Sequence, residues 1–119
     1  MVFKKLSEVK QKLTEAGFEI ASDFTKLKPN SVSPFGFAGE IEQLTFSQKR
    51  VNATHSMIVC LREEPNIDIF QLMDEKAMLI MDKLSEVYTL IRLKQFDYVH
   101  YPTQKLIYVY LAFEVAWTI

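Results

Sequence analysis

Apolar positions recur at two spacings along this chain, and the change from one to the other divides it into elements. Near the start they fall three and four apart, at Phe3, Leu6, Val9, Leu13 and Ala16, while Lys4, Lys5, Glu8, Lys12 and Glu15 take the other side. That is the stripe of an amphipathic helix, and Gly17 stands where a left-handed cap would stop it. Phe18 and Ile20 flank Glu19 and predict a short extended piece. Helical spacing returns from about Ile67 to Val87, with Phe70, Met73, Ala77, Ile80, Met81, Leu84 and Val87 on one stripe. Gln71, Asp74, Glu75, Asp82, Lys83 and Glu86 lie largely off it. Pro65 ends whatever precedes this helix, and Asn66 or Asp68 can cap it. Met73, Met78 and Met81 sit beside Ile and Leu at helical spacing, which favours core filling over an adaptable binding groove.

Elsewhere the period is two. The run from Lys105 to Ile119 has no Gly, no Pro and one carboxylate, Glu114, and is rich in β-branched and aromatic residues, so a strand is predicted. Ile107, Val109, Leu111, Phe113, Val115 and Trp117 form a core face. The alternate set, Leu106, Tyr108, Tyr110, Ala112, Glu114 and Ala116, is too apolar for open water and too polar for a deep core. A second protein surface is expected to cover it. Leu93 to Tyr101 pairs with this strand around Pro102-Thr103-Gln104 to make a hairpin. Ile41 to Gln48 and Asn52 to Arg62 predict another, joined by Lys49-Arg50-Val51, with Ile41 out of phase and a bulge plausible there. Phe70, Ile80, Leu84, Leu111, Phe113 and Val115 are expected between the second helix and the sheet.

Between Ala21 and Gly39 no period holds. Pro29, Asn30, Ser31, Ser33, Pro34, Gly36 and Gly39 are turn formers, and a long loop over about 21–39 is predicted. Loops of this length are usually functional or mobile, and mobility in the isolated subunit is expected from about Thr25 to Gly39. Phe35 and Phe37 either fold back onto the core or dock onto a neighbouring subunit.

Composition narrows the function more than it specifies it. The 119 residues suit one domain, 1–119, and 49% hydrophobic with 24% charged residues fits a folded chain. A net charge of -1 argues against neutralising nucleic-acid phosphates, so no nucleic-acid specificity is expected. The one Cys, Cys60, lies in an apolar run and reads as a buried inert thiol of a reducing compartment. No apolar run reaches a membrane span, and the N-terminal residues do not read as a secretion signal.

Candidate chemistry is sparse. His55 and His100 fall in different predicted hairpins without further ligands at metal spacing, and read as solvent-facing or cross-strand structural residues. Glu63-Glu64 reads as a solvated turn. Ser47, Ser56 and Ser85 lack a nucleophile elbow, and Gly36 and Gly39 do not lead from a strand into a helix. The lysines of the first helix are diluted by Glu8 and Glu15. Phe96, Tyr98 and Tyr101 suit cross-strand pairing better than base stacking, since no basic surround accompanies them. No catalytic, cofactor-binding or metal site is assigned, and the chain reads as a non-enzyme.

The element order helix, β-hairpin, helix, β-hairpin is an α+β arrangement of one mainly antiparallel sheet packed against helices. Three stretches carry a resemblance: the loop running into Gly39-Glu40-Ile41-Glu42-Gln43-Leu44-Thr45-Phe46; the strand Ala53 to Leu61 passing through Pro65 into the helix; and Phe96-Asp97-Tyr98 followed by Lys105 to Val115. In this pattern the chain resembles the tail-terminator and tail-completion proteins of long-tailed bacteriophages, the group that includes the U protein of phage lambda. The similarity is one of pattern over most of the chain, without a diagnostic motif, and the short Lys49-Arg50-Val51 connection departs from relatives with a longer turn. The resemblance implies a structural virion protein, found in the virion and in the host cytoplasm during assembly. It implies a ring-forming subunit, such as a hexamer on the tail end, that caps the tail tube or joins tail to head. Its partners would be itself, the tail-tube protein and head-completion proteins. The expected interface is Tyr108 and Tyr110 of the closing strand with Phe35 and Phe37. The alternative is a cytoplasmic dimeric ligand-binding or regulatory α+β module with a concave pocket lined by the closing tyrosines.

Overall fold

The computed structural model describes residues 2–119, with side chains from residue 4 onward; the stripe position Phe3 lies outside the described side chains. Helix α1, Val2–Glu15, ends as expected at Gly17, whose φ of 95° only glycine adopts easily. Strand β1, Glu19–Ile20, follows, and then a 3-10 turn, Phe24–Lys26, capped by Asp23. Strands β2 (Ser31–Gln43) and β3 (Lys49–Arg62) form one hairpin; β4 (Leu90–Tyr101) and β5 (Leu106–Thr118) form another. Helix α2, Ile69–Leu84, links the hairpins, and the Asp68 carboxylate accepts from the Phe70 amide at 2.7 Å to cap it.

The strands make one sheet in the order β1-β2-β3-β5-β4, antiparallel except for the two-residue parallel pair β1–β2. The α+β class read from the pattern is the class observed. Alternation sets the layers. Val51, Met57, Val59 and Leu61 of β3 and Ile107, Val109, Leu111, Phe113, Val115 and Trp117 of β5 cluster with Val9 and Leu13 of α1 and with Leu72, Met73, Ala77, Ile80 and Leu84 of α2. Both helices therefore cover the same side of the sheet. Ile80, Leu84, Leu111, Phe113 and Val115 are buried as expected.

Phe70 is not: it is 55% exposed. Asp68 starts the helix late, so Phe70 falls in the first turn at the rim of the buried stripe. Its ring meets Tyr98 edge-on at 5.7 Å. Leu72 takes the buried place instead.

The long loop is also corrected. Residues 21–30 are irregular, but Ser31 to Gly39 belong to β2, paired with β3 from Ser31↔Cys60 onward. The Gly and Pro residues that suggested a loop have other uses inside a strand. Gly36, at φ 59°, is the extra residue of a β-bulge. At Gly39 a Cβ would fall 2.8 Å from the Ala53 Cβ and from the Asn52 carbonyl oxygen, so only glycine fits the close approach to β3. Pro34 lies on β2 beyond Ser31 and Val32, the two residues that β1 pairs with, where a missing donor is tolerated. The irregular remainder is held too: the Ser31 hydroxyl donates to the Lys28 carbonyl at 2.6 Å, and the Asn30 amide donates to the Cys60 carbonyl at 2.8 Å. The loop expected over about 21–39 is therefore strand from Ser31 onward.

The predicted strand Ile41 to Gln48 ends at Gln43, and Lys49-Arg50-Val51 belongs to β3 rather than to the connection. Leu44 to Gln48 make the tip, closed by Leu44 N–H donating to the Gln48 carbonyl at 3.0 Å.

Candidate functional site

The side of the sheet away from the helices is the candidate surface. Its rows follow from register. Phe35 pairs with Ser56, Ser56 with Ala112, Ile58 with Tyr110, and Cys60 with Tyr108, while Tyr110 lies beside Asp97 and Tyr108 beside Val99. Neither α-helix lies over this face, and the 3-10 turn Phe24–Lys26 reaches only its Phe35 end. Small residues at Ser56, Cys60 and Ala112 are buried among taller neighbours, while Phe35, Ile58, Leu106, Tyr108 and Tyr110 are half-buried and Val99 and Tyr101 exposed.

The aromatic side chains form two groups of contacts along it. Phe24 stands edge-on to Phe35 at 4.7 Å, Phe35 is tilted against Tyr110 at 5.9 Å, and Tyr101 meets Tyr108 edge-on at 5.7 Å. Phe24 is brought there by the 3-10 turn, where the Asp23 carboxylate accepts from the Thr25 amide at 2.8 Å. The Tyr110 and Ser56 hydroxyls are 3.2 Å apart. Burial pushes the Cys60 thiol up from its usual range, against weaker opposing effects of Tyr108 and Arg62, so it stays protonated and inert. Burial also raises the Tyr108 phenol, helped by Cys60 and Tyr101.

Of the four expected interface residues, the structure brings three together. Phe35, Tyr108 and Tyr110 share the open face. Phe37 does not, although residues two apart on a regular strand would share a side. The extra residue at Gly36 reverses the side, so Phe37 pairs with His55 and packs at 5.6 Å from its ring and 6.1 Å from Trp117. Folding onto the core is the observed fate of Phe37. Phe24 and Ile58 were not singled out by the pattern. Alternation with Met57 and Val59 puts Ile58 opposite the core, a signal present in the sequence, whereas no local signal places Phe24.

The remaining candidate groups lie elsewhere. His55 is buried on β3, with Nδ1 3.5 Å from the Tyr88 hydroxyl, and burial lowers its pKa to about 4. Burial also pushes the Tyr88 phenol up, with Glu8 adding to the effect. The pair is long for a hydrogen bond and enclosed by Phe37 and Trp117. His100 Nε2 meets the Glu63 carboxylate at 2.8 Å, tying the end of β3 to β4; Glu63 is half-buried rather than freely solvated. Among the described residues no three His, Cys, Asp or Glu side chains gather as a metal site would require. A depression of about 360 Å³ lined by Tyr101, Gln104, Leu106 and Tyr108 lies on the open face, shallow and exposed to solvent.

The tip of the β2–β3 hairpin is a second exposed feature. Phe46 is fully exposed and Leu44 is 41% exposed. Among the described residues no helix is long and apolar enough to cross a membrane. No protein-family model matches the chain, and no curated protein matches it significantly in sequence.

Proposed function

We propose that this protein is a structural assembly subunit, a ring-forming tail-terminator or tail-completion protein that caps a phage tail tube or joins tail to head. The observation that carries the reading is the uncovered face of the sheet. An aromatic and aliphatic surface from Phe35 and Tyr110 to Tyr108 and Tyr101 has neither helix over it, and Phe24 of the 3-10 turn packs only at its Phe35 end. Contiguous apolar patches of this kind mark interaction sites, and leaving one wet forgoes roughly 25 cal/mol per Å² of apolar area. Tyrosines suit such a surface because the ring buries area while the hydroxyl keeps a polar partner.

The resemblance in element order supplies the kind of assembly, and the helix-covered layer supplies a rigid back for the docking face. The competing reading, a dimeric ligand-binding module, calls for a concave pocket at the tyrosines, and the depression there is a shallow saucer rather than an enclosed cavity. Native mass spectrometry and electron microscopy of the purified protein, alone and with tail tubes, test the proposal. Closed rings of one stoichiometry, free or seated on tube ends, are expected. A monomer at every concentration that leaves tube ends bare contradicts it.

A further inference from the structure

The sheet has two open edges, and they match each other. On one side β4 has no strand outside it; on the other, β2 is covered by β1 only at Ser31 and Val32. Open edges are normally blunted against pairing, and both carry a blunting device, a bulge at Gly36 in β2 and one at Lys94 in β4. The devices sit at one level. Phe37 is linked through His55 and Phe113 to Leu93, and Phe35 through Ser56 and Ala112 to Gln95, so each bulge interrupts its strand at the same step. A straight strand cannot follow either edge past that step. The opposite edge of a second copy can.

From this we infer that, in the assembly proposed above, the outer edge of β4 in one copy adds antiparallel to the β2 edge of the next, continuing the sheet from subunit to subunit. The strand directions allow it, because β2 and β5 run one way and β3 and β4 the other. With no slip along the strands, Phe37 faces Leu93, Ala38 faces Arg92, Gly39 faces Ile91 and Glu40 faces Leu90 of the neighbour.

Side chains on both faces fit this register. On the helix side a depression of about 500 Å³ lies along the β2 edge, lined by Phe37, Gly39, Glu40, Ile41 and Val51. Gly39 leaves its centre empty, and the half-buried, apolar Ile91 and Leu93 of the neighbour fall against it. On the open face the charges are opposite. Arg92 and Lys94 share one carboxylate, Glu114, at 2.6 and 3.9 Å, so the stretch of β4 from Leu90 to Lys94 has one cation more than the carboxylate it meets, while Asp97 lies past the bulge and accepts from Gln95. At the β2 edge Arg50 serves Glu42 at 2.9 Å, and Glu40 has no cation within 4 Å among the described residues. Glu40 lies diagonal to the neighbour's Arg92, within reach of long side chains. Because the contact joins different surfaces of the two copies, it repeats head to tail and closes when the rotation allows. The tyrosine face is left free for the tube end.

Disulfide trapping tests the register. Directly opposed residues have Cβ atoms close enough to bridge, and the one native thiol, Cys60, is buried. Glu40→Cys mixed with Leu90→Cys should give a mixed disulfide dimer on mild oxidation, well above either variant alone. Chains carrying both changes should give a ladder ending in one closed species. Ala38→Cys with Arg92→Cys offers a second rung should the first pair perturb folding. If neither pair cross-links while the parent still associates by sedimentation, the edges are not the contact and the assembly reading survives. If the parent neither associates nor binds tube ends, both ideas fail together.

Discussion

The two faces of this sheet come from the same alternating strands yet have opposite fates. On the helix side Val109, Leu111, Phe113, Val115 and Trp117 are almost wholly enclosed. On the other side Tyr108, Tyr110 and Glu114 of the same strand are only half-buried, sheltered by one another and by neighbours such as Ile58 and Phe35. The first face stabilises the subunit, because its apolar area leaves water on folding. The second returns little to the isolated subunit, and its composition suits a surface that is covered later. A period of two therefore specifies two jobs in one segment, and mutations should separate them.

The largest separation is expected in stability. Phe113→Ala or Leu84→Ala should lower unfolding stability by about 2–5 kcal/mol, since lost transfer energy and the cavity add. Tyr110→Ala, on the same strand as Phe113, should cost less than about 1.5 kcal/mol, mostly from the contacts with Phe35 and Ser56. Denaturant midpoints of the variants check this, and equal losses on both faces would erase the distinction.

A second separation is in pH. His55 is buried on the helix side and holds a folded pKa of about 4 against an ordinary 6.5. The unfolded chain takes up this proton first, so its contribution is complete above about pH 6.5 and is lost as pH falls toward 4. The loss across that window is about 3 kcal/mol for a group so enclosed. Melting of the parent and of His55→Gln between pH 7 and 4 measures it, the variant showing the flatter profile. Identical profiles would mean that His55 does not titrate as its burial requires.

A smaller effect is expected at the bulge that places Phe35 and Phe37 on different faces. Gly36→Ala must keep a positive φ, and the strain should cost about 1–2 kcal/mol. Space is not the obstacle, since an added Cβ would meet only the Ser56 side chain, at 3.6 Å. A loss beyond about 3 kcal/mol would indicate that the bulge has straightened and the register of β2 has slipped.

How much of this was legible depends on which physics set each element. The helices, the closing strand and its two faces were legible because burial imposes a period that composition cannot hide. The strand half of the supposed loop was not. Pro34, Gly36 and Gly39 are the residues of turns, and their use at an open edge, a bulge and a tight crossing depends on β3, which lies elsewhere in the sequence. Phe37 was misplaced for the same reason, as one inserted residue reverses a face. Phe70 fits the helical period, and only the cap at Asp68 and the reach of the sheet leave it exposed. The candidate surface was visible as the tyrosine set of β5, while its extension through Phe24 needed the path of the chain in space.

The central claim is that the open face is a docking surface, and one substitution tests it most directly. Tyr110→Glu places a charge at the middle of that face without touching the helix-side core. Its melting temperature and the yield of infectious particles on complementing a tail-defective phage should be measured together. The variant subunit should fold as the parent does, with a melting temperature within a few degrees, and particle yield should fall at least about tenfold. Normal particles from a folded Tyr110→Glu protein would contradict it and move the interface elsewhere.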